Sequence, residues 1–344
     1  MQLLRYSVAM ADQLKRAREH CFMAGVDDVG MKLCEANVPF GLAKIHHVQQ
    51  QLGVPADATF VGSPDATVTR NDRRWSQGFG YGGVYSWSGD FAILDIKPNA
   101  CGMLVGALPN LPELDAVRQR LHALDREGLS LDGVELDNDL TESNHFVDVL
   151  TVNPEASTES AGADHFFIMH SSGHEHRGET PRGPGLYYDQ SARLAEMATT
   201  FDTPWGTLSV LQGDDAASWY QFYREVQDFN HRRREALAQF LFGQFTPVVN
   251  ATHQGMVRSL TQANIGCYTF EDEDSGLFPL TLSPTLPAFL VRPRRNVGDA
   301  AIERLGWHER LERHGLVDRV RGTNLLPHGG GYLYPQLLGV SRVV

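Results

Sequence analysis

The sequence predicts an α/β (α+β) fold with mixed sheets and a metal centre in loops at strand ends. Three observations predict it. Helical apolar spacing runs through residues 8–53 and 214–243. Short alternating or apolar stretches bounded by turn residues, such as 146–150 and 165–169, read as strands. Histidines collect where those strands end. Five of the fourteen fall between His145 and His176, and His253 and His328 follow in short polar or glycine-rich breaks, with Cys101-Gly102 upstream. Cysteine and histidine gathered from distant segments build soft-ligand metal centres, and the same groups can supply a nucleophile.

In chain order, residues 8–53 are interrupted by Gly and Pro and suggest two or more helices. Residues 57–90 are rich in Gly, Ser, Asp and aromatics, as in Gly78-Phe79-Gly80-Tyr81-Gly82-Gly83, and read as loops between short strands. Phe91-Ala92-Ile93-Leu94 predicts a buried strand running into Asp95. Leu111–Leu124 predicts an amphipathic helix with Pro112 at its N-terminal end. Phe146–Leu150 and His165–Met169 predict neighbouring strands. Ser171–Gly185 carries too many glycines and prolines to be regular. Residues 214–243 predict the longest helix, with Trp219, Phe222, Val226, Phe229 and Leu237 on one buried face. Residues 278–292 predict a strand-and-turn region. No repeat or low-complexity tail divides the chain, and one domain over 1–344 is expected.

Composition narrows the class. The chain has 344 residues, 42% of them hydrophobic, enough for a sizeable core. No apolar run approaches the roughly 20 residues of a membrane span. The start, MQLLRYSVAMADQLKRAR, places its basic residues after the short apolar part and does not read as a signal peptide. Four scattered cysteines (Cys21, Cys34, Cys101, Cys267) form no close pair, so a reducing cytoplasm is the default. The net charge of −12 argues against a general nucleic-acid coat. It is unevenly spread, however. Residues 1–219 carry 16 basic and 30 acidic side chains, and residues 220–344 carry 14 and 12, including Arg232-Arg233-Arg234. That run reads as part of a local positive groove or as a solvated basic face.

Several residues carry candidate chemistry. Cys101 can be a metal-bridging thiolate or a small buried hydrophobe. His145 opens one strand and His170 ends the next, before Ser171-Ser172-Gly173, whose amides can cradle a phosphate. His174 and His176 read as substrate contacts or as exposed side chains. His253 offers a third imidazole. His328 precedes three glycines that let backbone approach a nucleotide or phosphate, or that make a mobile turn. The only lysines are Lys15, Lys32, Lys44 and Lys97, so a covalent nucleotide adduct would fall on histidine more readily than on lysine. No Walker-type loop is present.

Taken in order, these pieces resemble the RtcB family of RNA-splicing and repair ligases. Asn99-Ala100-Cys101-Gly102-Met103 looks like its Asp-Ile-Gly-Cys-Gly-Met. Asn144-His145-Phe146-Val147-Asp148 resembles its Asn-His-Phe-Ile-Glu, and His170-Ser171-Ser172-Gly173 its His-Ser-Gly-Ser-Arg-Gly. Asp228-Phe229-Asn230-His231-Arg232 lies in a helix like the one carrying its Asn-Arg pair. Thr252-His253-Gln254 looks like Ser-His-Asn, and His328-Gly329-Gly330-Gly331-Tyr332 like His-Gly-Ala-Gly-Arg. The resemblance covers residues 78–335, after a divergent part over 1–77.

The resemblance implies an RtcB-like fold and a Mn²⁺- and GTP-dependent ligase. Such an enzyme joins RNA 3′-phosphate or 2′,3′-cyclic phosphate ends to 5′-hydroxyl ends. His328 would be guanylylated. Cys101, His145, His170 and His253 would bind one or two Mn²⁺ ions. Pro98 occupies the family's metal-binding Asp position, and Asp95 is the nearest carboxylate. Asn144, Ser171, Gly173, Gly329, Gly330 and Tyr332 would hold the nucleotide, and Arg232, Arg233 and Arg234 the RNA. The alternatives are a metal-dependent phosphoryl-transfer or hydrolytic enzyme without ligation, and a non-catalytic RNA-binding protein on the same scaffold. A monomer is the default reading.

Overall fold

A computed structural model describes residues 8–25, 27–69, 71–140, 145–153, 155, 162–283 and 285–329. It is a mixed α/β structure with several sheets. The main sheet has eight strands. In spatial order they are Cys21–Met23, Thr59–Thr67, Tyr81–Ser86, Gln262–Ile265, Thr246–Ser259, Cys101–Leu108, His165–Ser171 and Phe146–Thr151. The first pair is parallel and every other pairing is antiparallel.

The 8–53 stretch folds as two helices, Val8–Glu19 and Val29–Gln51, separated by a strand that sequence patterning missed. The second helix starts where Asp28 accepts a hydrogen bond from Met31 N at 2.8 Å. It continues through Pro39, which removes one helical hydrogen bond at a cost of about 3 kcal/mol. Burial of Val38, Leu42, Ile45 and Val48 offsets that, at about 1.5–3 kcal/mol per fully buried side chain. Residues 57–90 hold a nine-residue strand, Thr59–Thr67, in place of the short ones expected.

The predicted helix near Leu111 runs from Leu114 to Glu127. Glu113 occupies the cap position, so Pro112 lies outside the first turn. Phe146–Thr151 and His165–Ser171 are neighbours as expected, and Phe278–Leu280 pairs with Phe289–Val291. The long helix spans Gly213–Phe242 and buries Trp219, Phe222, Val226, Phe229 and Leu237. Its buried stripe also includes Asn230, Arg233 and Arg234. It covers one face of the Cys101 and His170 strands through Leu104, Phe167 and Met169. The opposite face carries Met103, Val105, Phe166 and Ile168. Among the described residues, no helix is long and apolar enough to cross a membrane.

Candidate metal centre

Sheet register assembles the site. Met103 lies opposite His170, and Gly102 opposite Ser171. Side chains alternate along a strand, so Cys101, two residues before Met103, falls on the His170 face. On the other side of the same strand, Thr252 pairs with Gly102 and Gln254 with Cys101. His253 is therefore the extra residue of a β-bulge, which re-aims its side chain out of the regular ladder. Phe146 lies opposite His170, and this brings His145 to the mouth of the next strand.

The result is a buried cluster. Cys101 Sγ lies 3.0 Å from His170 Nε2 and 3.4 Å from His145 Nε2, and His170 Nε2 lies 3.2 Å from His253 Nε2. Cys101, His145 and His170 form a group that can hold a metal ion. Burial opposes ionisation of the Cys101 thiol, but the surrounding imidazoles hold its pKa well below the ordinary value. Burial also disfavours the charged form of His145, yet the thiolate and Asp139 raise its pKa to about 10. Burial lowers His170 and takes His253 down to about 3.

Asp139 was invisible to sequence reasoning, since it is one acidic residue in a loop. Its carboxylate is fully buried, 2.7 Å from His145 Nδ1. It accepts from Ser171 Oγ at 3.0 Å, Ser172 N at 3.0 Å and Arg233 at 3.2 Å. A carboxylate on Nδ1 fixes the ring so that Nε2 faces the thiol, the usual way a ligating imidazole is oriented. Arg233 had a readable signal, because it sits four residues after Phe229 and four before Leu237 on the helix's apolar stripe.

His328 closes the site from the C-terminal side. It follows the strand Leu325–Pro327, which pairs with Cys267–Thr269. Its Nε2 lies 3.1 Å from Tyr81 Oη and its Nδ1 3.5 Å from Asp65 Oδ2. Asp65 accepts from Gly329 N at 3.1 Å and from Ser63 Oγ. Gly329 has φ +87, and a Cβ there would lie 1.9 Å from Thr281 O, so this turn requires glycine. The His328 ring centroid is 4.6 Å from that of His253 and 6.3 Å from that of His170. Tyr81 and Asp65 were not singled out from sequence.

Other expected site residues are placed differently. Asp95 is buried away from the thiol. Its carboxylate accepts from Tyr188 Oη and Ser209 N, both at 2.7 Å. The 3-10 turn Leu94–Ile96 and a left-handed Lys97 (φ 53) carry the chain onward while leaving Asp95 against the small sheet of Gly206–Gln212. Asp95 therefore does not stand in for the carboxylate missing at Pro98. Of the amides expected to cradle phosphate, that of Ser172 donates to Asp139, and Ser171 is fully buried with its hydroxyl bonded to Asp139 and Arg233.

The expected basic RNA patch also needs correction. Arg233 and Arg234 are buried. Arg233 pairs with Glu175 and Asp139. Arg234 donates to Asn250 Oδ1, Ala100 O and Ser171 O. Both lie on the inner side of a helix and brace the cluster. Arg232 alone reaches the surface, paired with Asp132 at 2.5 Å. Gly173 lines a shallow depression with Asn99, His176, Arg177 and Asn230. His176 packs on Phe229, and His174 is exposed. Asn144, Gly330 and Tyr332 lie outside the described residues.

No protein-family model matches the chain, and no curated protein matches it significantly.

Proposed function

We propose that the chain is a divergent RtcB-like RNA ligase, dependent on GTP and a divalent metal. It would join 3′-phosphate or 2′,3′-cyclic phosphate ends to 5′-hydroxyl ends through a histidine–GMP intermediate. One observation carries this reading. A buried imidazole, His328, is held by Asp65 and Tyr81 against the Cys101, His145, His170 and His253 cluster. A nucleophile beside a cation site is what nucleotidyl transfer needs.

The donor set fits a cation. A buried thiol and several imidazole nitrogens converge, and His145 has the carboxylate partner that ligating histidines use. Cys101, His145 and His170 would hold the ion, which when bound offsets charge building on the phosphoryl oxygens. Tyr81 Oη lies 3.1 Å from His328 Nε2, the nitrogen that would act as nucleophile, and Asp65 lies 3.5 Å from Nδ1. Nε2 attacks the α-phosphorus of GTP and pyrophosphate leaves. Asp65 stabilises the imidazolium character that develops on the ring. GMP then passes to the RNA 3′-phosphate, and attack by the 5′-hydroxyl expels it. A reducing compartment, the cytoplasm, keeps Cys101 available as a thiolate.

Burial of Arg233 and Arg234 favours one second reading. With Arg233 and Arg234 turned inward, the 232–234 run offers a single exposed arginine, and the same centre suits phosphoryl transfer or hydrolysis on a smaller substrate. Incubation of metal-loaded protein with radiolabelled GTP separates the two. The ligase reading expects an acid-labile GMP adduct that is lost in His328→Ala, followed by joining of RNA ends. No adduct in folded, metal-loaded protein overturns it, and an adduct without end-joining supports the smaller-substrate reading.

A further inference from the structure

The family resemblance implies one or two manganese ions, and the described residues do not fit a pair. Among the described residues, the carboxylates beside the cluster already have hydrogen-bond partners. Asp139 is taken by His145, Arg233, Ser171 and Ser172. Asp65 is taken by Gly329 and Ser63 beside His328. Asp95 is taken by Tyr188 and Ser209. Pro98 occupies the position where the resemblance implies a metal-binding Asp. What remains at the thiol among the described residues is sulfur and imidazole nitrogen.

The spacing of those donors is informative. Bonds of about 2.3 Å to sulfur and about 2.05 Å to nitrogen in a tetrahedron put sulfur and nitrogen roughly 3.5 Å apart. The distances from Cys101 Sγ are 3.4 Å to His145 and 3.0 Å to His170. Donor atoms of these three residues all lie within 4.8 Å of one another, whereas His253, although 3.2 Å from His170 Nε2, does not join that mutually close set. Manganese lies at the weak end of the divalent affinity series and suits oxygen-rich octahedral sites, whereas thiolate and imidazole suit zinc-class ions. Three protein ligands with a fourth position left over is the arrangement of catalytic zinc sites.

We infer that Cys101, His145 and His170 hold a single zinc-class ion with one coordination position left for substrate. His253, between His170 and His328, then faces that substrate and is not ligand to a second ion. The inference rests on the metal site of the proposed function and not on its GTP chemistry, so adduct formation and metal content can fail independently.

The test uses the full chain stripped of metal. Cobalt(II) titration is followed by visible absorption and by the near-ultraviolet thiolate-to-cobalt charge-transfer band, and bound Zn²⁺ and Mn²⁺ are counted by elemental analysis. The expected result is one equivalent per chain, with Zn²⁺ displacing Mn²⁺ at about 100-fold lower concentration or better. The charge-transfer band should be lost in Cys101→Ser and kept, at one equivalent, in His253→Gln. Two equivalents of Mn²⁺ per wild-type chain, Mn²⁺ held more tightly than Zn²⁺, or loss of the band in a folded His253→Gln protein would each overturn it. Wild-type stoichiometry and metal preference decide the matter even if a variant fails to fold.

Discussion

Asp139 and His145 form the brace of the candidate metal centre, with the carboxylate 2.7 Å from Nδ1 of an imidazole whose other nitrogen faces Cys101. The same carboxylate neutralises Arg233. One residue therefore serves the site and the stability of the fold.

Asp139→Asn should separate these roles incompletely. Loss of the oriented ligand should weaken metal binding about 10–100-fold. Arg233 keeps Glu175 at 2.7 Å, so it loses one of its two carboxylates. A loss of stability of about 3 kcal/mol is expected for a broken buried pair. Calorimetric metal titration alongside urea melts measures both. Unchanged metal affinity in the variant would show that Asp139 is only structural.

Asp65→Asn keeps the shape of the group beside His328 and removes its charge. The His–GMP adduct should form about 10²–10⁴-fold more slowly, as for loss of a positioned proton partner, with metal content unchanged. Gly329→Ala should also suppress the adduct, because its Cβ cannot coexist with the Thr281 carbonyl that seats the turn. Rapid-quench labelling with GTP reads both variants, and wild-type rates in Asp65→Asn would remove Asp65 from the mechanism.

The arginine run should behave as one surface residue and two buried ones. Arg232→Ala loses an exposed pair and should change stability by no more than about 1 kcal/mol. Arg234→Ala strips partners from Asn250, Ala100 and Ser171 and should cost about 2–4 kcal/mol. Urea midpoints for the two variants make the comparison. Equal, small effects would contradict the burial described here.

Acid should destabilise the protein through a second histidine cluster, remote from the metal centre. His20 Nδ1 and His46 Nε2 both lie on Ala58 O, at 3.0 and 2.8 Å, and His20 packs edge-on against His314. Burial lowers the pKa of His20 to about 3 and of His46 to about 4. Folded values below the unfolded value mean that the unfolded chain takes up protons first. The stability contributed by neutral His46 is therefore full above pH 6.5 and lost as pH falls towards 4, on the order of 3 kcal/mol across that window. Chemical denaturation from pH 7.5 to 4 should show the decline, and His46→Gln should flatten it. A flat wild-type profile would refute the assignment.

Some of this was legible in the residues alone. The long helix and its apolar face, the adjacent strands at Phe146 and His165, and the irregular 172–185 stretch follow from local periodicity and turn chemistry. Cys101, His145, His170, His253 and His328 could be singled out because cysteine and histidine stand apart chemically from the sequence around them. Tertiary structure decided everything that depends on register and burial. A bulge in one strand, not a loop, brings His253 to Cys101. Asp139 and Asp65 act through contacts with residues outside their own elements. Asp95 is near Cys101 in sequence but turned to another sheet. Charge pattern cannot distinguish a solvated arginine from one lying on the inner face of a helix, and only packing sent Arg232 outward and Arg233 and Arg234 inward. Local sequence encodes preferences over a few residues, whereas a site built from five distant segments is fixed by which strands pair and with what offset.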